Sequence, residues 1–335
     1  MLRSLMLTLA LVAPARANEL TQPKSAPLET APLILAQSKP ARFTLAWPVD
    51  CTLGQTCRIQ HYVDRDPGPG ARDFTCGTLS YDGHDGTDIA LANRAAMQAG
   101  VKVLAAAAGK VLGVRDGIAD FVPPITGREC GNGVLVDDGD GWQTQYCHMK
   151  QGSVTVHKGD QVTTGLPLGL VGQSGAADFP HLHLTVRHNG QAVDPFAPDR
   201  TTCGTPPAPG LWSKALPYEA GGFLAAGFAS ELPSFDAIQA GLPTQPLSPN
   251  APAIVLWAEV FGGQAGDVMA FAIANPDGST LLQTTATLTR TQDQLFRAAG
   301  KKLHVALGQG IYHGSITLLR AGIAVGQIAT QVTVP

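Results

Sequence analysis

The stretch Gly133-Val134-Leu135-Val136-Asp137-Asp138-Gly139-Asp140-Gly141-Trp142-Gln143-Thr144-Gln145-Tyr146-Cys147-His148 decides the fold class. Two runs, Gly133 to Asp137 and Trp142 to His148, carry the apolar, β-branched and aromatic residues that strands favour. Between them lies Asp138-Gly139-Asp140-Gly141. An Asp-Gly step tolerates the positive φ angles of a tight hairpin turn, so the stretch reads as two antiparallel strands.

The same pattern extends outward. Val101 to Leu104, Gly109 to Val114, Val154 to Val156, Leu168 to Val171 and His181 to Arg187 are short apolar runs, with Gly-rich turns and His188-Asn189-Gly190 between or after them. This predicts an all-β, antiparallel domain over residues 44–200. Residues 201–250 are punctuated by prolines and read as a connecting segment, although Phe223, Leu224, Phe228 and Phe235 give it apolar content. A short helix capped by Ser234 is expected at Ser234 to Ala240. Residues 251–335 carry five further strand-like runs: Ile254 to Val260, Val268 to Ile273, Thr284 to Leu288, Ile311 to Leu319 and Ile328 to Val334. Their spacing suggests a β-sandwich-like C-terminal domain.

The chain has 335 residues, enough for two folded units, and 44% of them are hydrophobic. A formal net charge of −3 argues against a nucleic-acid partner. At the N-terminus, Arg3 precedes an apolar run from Ser4 to Ala13, and Ala15-Arg16-Ala17 follows. This reads as a signal peptide over residues 1–17. The run is too short to span a bilayer as a mature helix, and Pro14 interrupts it. Residues 18–43 read as a linker. Export fits an even cysteine count: Cys51, Cys57, Cys76, Cys130, Cys147 and Cys203. Six cysteines allow 15 pairings. Cys51 and Cys57 are close enough to close a small loop, Cys130 and Cys147 flank the hairpin, and Cys76 with Cys203 remain. No Cys-x-x-Cys pair speaks for a cysteine metal site.

Three clusters carry chemistry. In Gly83-His84-Asp85-Gly86-Thr87-Asp88 the glycines argue against a helix. In extended backbone, His84 and Asp88 fall on one face. In His181-Leu182-His183 the two imidazoles share a face and Leu182 takes the other. In Tyr146-Cys147-His148 the same alternation puts Tyr146 and His148 together. Histidine nitrogen and aspartate oxygen are zinc donors. His61, His157, His188, His304 and His313 have no partner pattern and read as structural or solvent-facing.

Taken in order, His-x-Gly-x-Asp, Tyr-x-His and His-x-His resemble the lysostaphin-like (LytM, M23) zinc endopeptidases of bacterial cell walls. The likeness includes Gly131-Asn132-Gly133-Val134, Lys158-Gly159-Asp160-Gln161-Val162, Leu168-Gly169, Gly172-Gln173-Ser174-Gly175, Pro180-His181-Leu182-His183 and Val193-Asp194-Pro195. It covers roughly residues 76–198 and omits the C-terminal tail. It implies zinc held by His84, Asp88 and His183, with His148 and His181 as the catalytic pair. His181 is expected to act as base, and His148 to bind the oxyanion or the attacking water. It implies a peptidoglycan substrate and a periplasmic or secreted location. The stretch Arg115 to Cys130 reads as an inserted loop near the cleft. Two other functions compete: a regulator that activates other wall enzymes without cutting, and a wall-binding protein centred on the C-terminal unit.

Overall fold

A computed structural model describes residues 42–204 and 210–335. The signal peptide and all but the last two residues of the linker lie outside the described residues. The elements run in chain order: β1 Cys57–His61, β2 Thr87–Leu91, α1 Arg94–Ala99, β3 Lys102–Leu104, β4 Gly109–Arg115, β5 Asn132–Gly139, β6 Trp142–Met149, β7 Gln161–Val162, β8 Pro167–Leu170, β9 His181–His188, β10 Gln191–Ala192, β11 Gly222–Ala229, α2 Phe235–Gly241, β12 Ala253–Gly263, β13 Val268–Ala274, β14 Thr280–Thr287, β15 Gln292–Lys302, β16 Gly310–Arg320 and β17 Ile323–Val334. The protein is nearly all β, as expected.

The first sheet has the order β1-β2-β9-β6-β5-β4-β7, with β10 beside β9, and all its pairs are antiparallel. The deciding hairpin forms: Gly139 pairs with Trp142, leaving Asp140 (φ 49°) and Gly141 (φ 80°) as the turn. Positive φ at both positions matches the twist of the flanking strands. Alternation then divides β9. Leu182, Leu184 and Val186 point into the core with Ile89 and Tyr146. His181, His183, Thr185 and Arg187 occupy the other face. Val154 to Val156 does not form a strand.

The second unit is a sandwich of two antiparallel sheets, β11-β12-β15 and β14-β13-β16-β17. Strands β11 and β15 are additional to the runs expected there, and β11 comes from inside the proline-punctuated stretch. The expected helix is α2, where the Ser234 hydroxyl accepts from the Ala237 N–H at 3.1 Å.

The two units share packing. Along β12, Leu256, Ala258 and Val260 point into the sandwich core. Phe261 points the other way and joins the first core, as do Leu211 and Trp212. Burial on both faces explains why β12 reads as a continuous apolar run without alternation. The connections Cys51–Cys57, Cys76–Cys203 and Cys130–Cys147 are all disulfide-bonded, matching the expected pairing.

Candidate metal centre and catalytic face

The first-sheet register builds the site. Asp88 on β2 lies directly opposite His183 on β9, and Ala90 opposite His181. His84 arrives from outside the strand. It sits after a turn in which its N–H donates to the Tyr81 carbonyl, so the extended reading of His84 to Asp88 is corrected. The chain reverses at Gly83 (φ 74°) and returns His84 to the face that Asp88 presents.

The structure brings His84, Asp88 and His183 together, all buried, with one donor atom from each within 4.8 Å of the others. His84 Nε2 is 3.1 Å from Asp88 Oδ1 and 3.1 Å from His183 Nδ1. His183 Nδ1 is 2.8 Å from Asp88 Oδ1. The other nitrogens settle the proton positions. His84 Nδ1 lies 2.7 Å from the Tyr62 carbonyl, which only accepts, so that nitrogen carries the proton. His183 Nε2 faces Asp85 Oδ1 at 3.2 Å and the Thr185 hydroxyl at 3.0 Å. Two imidazole lone pairs and a carboxylate oxygen thus face one another in a buried spot. Such a contact is relieved only by a proton or a cation. Donor separations of 2.8–3.1 Å lie close to the ~3.3 Å of a tetrahedron with bonds of ~2.0 Å. The donor set therefore fits zinc.

Gly86 has a steric reason. A Cβ there would stand 2.5 Å from His183 Nε2 and 2.9 Å from the Leu184 carbonyl oxygen. The middle glycine of His-x-Gly-x-Asp is the floor on which the His183 ring lies.

His148 reaches the same face by an irregularity. Alternation fails here: Tyr146 is fully buried in the core, where its hydroxyl accepts from the Ala106 N–H at 2.7 Å. Cys147 faces the site side, opposite His183. His148 then adopts φ 60°, a left-handed conformation rare for a non-glycine residue, and its ring turns back onto the site side. Its ring stands 4.6 Å from that of His181. The expectation that Tyr146 and His148 share a face is therefore overturned, although His148 does come to the site.

The surrounding motifs hold this conformation. The His148 N–H donates to the Cys130 carbonyl at 2.8 Å, and Cys130 is bonded to Cys147. His148 Nδ1 donates to the Ser174 carbonyl at 2.8 Å. The Ser174 hydroxyl donates to Met149 and accepts from the Asn132 N–H. A Cβ on Gly131 would stand 2.4 Å from the Ser174 carbonyl, and one on Gly175 2.4 Å from the Gly131 nitrogen. Gly131-Asn132-Gly133 and Gly172-Gln173-Ser174-Gly175 thus clamp the backbone behind His148. His181 is fixed similarly, its Nδ1 donating to the Phe179 carbonyl at 2.8 Å, while Nε2 stands 3.5 Å from Asp88 Oδ1.

The electrostatics divide these groups. Burial, reinforced by His181 and His183, pushes the His148 pKa down to about 3. Burial also lowers that of His181. For His183 burial acts the same way, but hydrogen bonds to Asp85 and Asp88 outweigh it and raise the pKa to about 9. Asp88 is held well below its usual range: burial would raise it, and the surrounding histidines prevail.

Two residues were missed in the sequence. His61 on β1 is buried, opposite Asp88 in register, and its Nδ1 lies 3.0 Å from Asp88 Oδ2. It occupies the carboxylate oxygen that the metal cluster leaves over. Asp85 orients His183 and is itself held by Arg187 at 3.3 Å. Only the position of Asp85 beside His84 hinted at a role. Nothing in the sequence around His61 did, because strand register across 27 residues brings it to Asp88.

The buried His84, Asp88 and His183 could hold a metal ion, with two more imidazoles on the same face of the antiparallel sheet. Residues 82–195, which contain this cluster, match the model of Peptidase family M23. The chain is 33% identical over 102 residues to the cell division protein DipM of Caulobacter vibrioides, across 29% of this chain and 15% of that one. It is 35% identical over 96 residues to the murein hydrolase activator EnvC of Escherichia coli, across 29% and 20%. It is 36% identical over 81 residues to the DD-carboxypeptidase/endopeptidase Mpg of Neisseria meningitidis, across 24% and 18%. The matched stretch is thus a fifth or less of each of these relatives.

Proposed function

We propose that the protein is an exported zinc endopeptidase that cuts a peptide bond in the cross-links or stem peptides of bacterial peptidoglycan. The observation that carries this reading is the convergence of His84, Asp88 and His183 donor atoms beside His148 and His181. The M23 match and the likeness to Mpg support the substrate class. Three disulfides and the signal-like N-terminus support a periplasmic or secreted location.

His84 through Nε2, His183 through Nδ1 and Asp88 through Oδ1 would hold the ion. Zinc bound there supplies a Lewis acid and lowers the pKa of water at the site. The chain's own residues do the rest. His181 has Nδ1 tied to a carbonyl, so its neutral Nε2 is an acceptor, the state a general base needs. His148 has the same tautomer for the same reason. While neutral, its Nε2 accepts a hydrogen bond from the attacking water and orients it. Desolvation keeps both rings neutral at physiological pH and ready to accept.

The likeness to EnvC brings the regulator as second reading. Elemental analysis and mass spectrometry of digested peptidoglycan, run on the same sample, separate the two. About one zinc per chain with new peptide-cleaved fragments, both absent in His183→Ala, is the expected result. His181→Ala is expected to retain zinc and lose activity by about 100-fold or more. Absence of both zinc and cleavage would favour the regulator.

A further inference from the structure

The outer face of β12 carries one residue that packing does not explain. Glu259 lies between Trp257 and Phe261 on that face, is 1% exposed, and its Oε2 has no hydrogen-bond partner. A buried carboxyl oxygen without a partner is costly and asks for a ligand. Glu259 lines a cavity of about 170 Å³ between the two β units, walled on the peptidase side by Asn93 and Pro180. Phe179, Asp178, Gln239 and Gln294 line both this cavity and the neighbouring cleft of about 650 Å³. That cleft contains Asp88, His61 and His181. The cavity is therefore a side compartment of the catalytic cleft.

Its charge is one-sided. Asp178, Asp236 and Glu259 line it, and in the adjoining cleft Asp293 stands 3.8 Å from His61 Nε2. Among its described lining residues the one cation is Arg94, which is paired with Asp236 and lies 5.7 Å from the Phe121 ring centre. The carboxamides are tied to one another: Gln294 Nε2 donates to Gln60 Oε1 at 2.8 Å, and Gln239 Nε2 to Gln294 Oε1 at 3.3 Å. These bonds fix the carboxamides, so Gln239, Glu259 and Gln294 form one side of the wall and the peptidase unit forms the other.

We propose that this compartment is a substrate subsite taking a primary ammonium group of the peptide, with Glu259 as its acceptor. An ammonium offers three donors and no acceptor, which matches an acidic pocket ending in an unpaired carboxylate. The inference rests on the peptidase reading and deepens it. The C-terminal sandwich is then a specificity wall, and a free amino group of the peptide is what it reads.

The test uses the full zinc-loaded chain and a short synthetic peptide ending in lysine, with the side-chain amine free or acetylated. Titration calorimetry gives Kd for each. The free amine is expected to bind about tenfold tighter than the acetylated form. Glu259→Gln, shown folded by circular dichroism, is expected to bring the two within about twofold. Equal affinities for the native chain would overturn the subsite, and that comparison needs no variant. So would a folded Glu259→Gln that keeps the discrimination, or no binding of either peptide at millimolar concentration. Peptidoglycan digestion on the same samples keeps the two readings apart. Discrimination without cleavage overturns the hydrolase alone, and cleavage without discrimination overturns the subsite alone.

Discussion

Asp88 shows how much a single carboxylate is asked to do. One oxygen faces His84 and His183, and the other faces His61. A residue that orients a metal-binding carboxylate raises affinity without touching the ion. His61→Ala is therefore expected to weaken zinc binding by roughly ten- to a hundredfold while leaving the fold intact. Competition with a zinc chelator measures it, and unchanged affinity would make His61 a packing residue only. Gly86 acts through space instead of charge. Gly86→Ala places a methyl where the His183 ring lies, with backbone of Leu184 behind it. The ring must leave its position against Asp88, so a loss of zinc affinity of at least roughly tenfold is expected. A Gly86→Ala chain that binds zinc as the native does would show that the ring has room to shift.

Strands β5 and β6 are built to hold His148 in a conformation it would not choose. Left-handed backbone at a non-glycine residue costs on the order of 1–3 kcal/mol. The neighbouring disulfide, the Cys130 carbonyl and the Ser174 carbonyl hold it there. Removing the covalent link should release it. Cys130 and Cys147 are 17 residues apart, and closing a loop of that size stabilises a fold by about 3 kcal/mol. The double variant Cys130→Ser, Cys147→Ser is expected to lose about that much in urea unfolding. It should also lose turnover at temperatures where it remains folded, because the hairpin end carrying His148 loosens. Full activity at unchanged zinc content would mean that hydrogen bonds alone hold the residue.

The two β units pack as one body through β12, and Glu259 carries the cost of that contact. Burial raises its pKa to about 7, from 4.5 for an ordinary glutamate. A carboxyl whose folded pKa is raised keeps its proton longer in the folded state than in the unfolded one. Stability from this group is greatest below pH 4.5, falls as pH rises towards 7, and stays low above it. The difference is on the order of 3 kcal/mol. Glu259→Gln is expected to raise the melting temperature clearly at pH 8 and hardly at pH 4.5. An equal gain at both would mean that burial does not raise the Glu259 pKa above its value in the unfolded chain.

The sequence by itself determined the antiparallel β class, the hairpin turn and the cysteine pairs, and it singled out the His and Asp clusters that the fold brings to one face. Apart from Cys76–Cys203, which followed by elimination, these rest on local rules: alternation along a strand, positive φ at Asp-Gly, and donor types at short spacing. Only tertiary structure decided which face each residue met. Tyr146 and His148 should have pointed the same way, but a left-handed residue braced from Cys130 and Ser174 separated them. His84 to Asp88 was read as extended, yet His84 follows a turn and converges on Asp88 because the chain folds back at Gly83. His61 and Glu259 carried no local signal at all. The first reaches Asp88 through the register of β1 on β2. The second faces the cleft because β12 is buried on both sides and presents its outer face to a different domain. Register and domain packing join residues distant in sequence, and no rule of local spacing contains them.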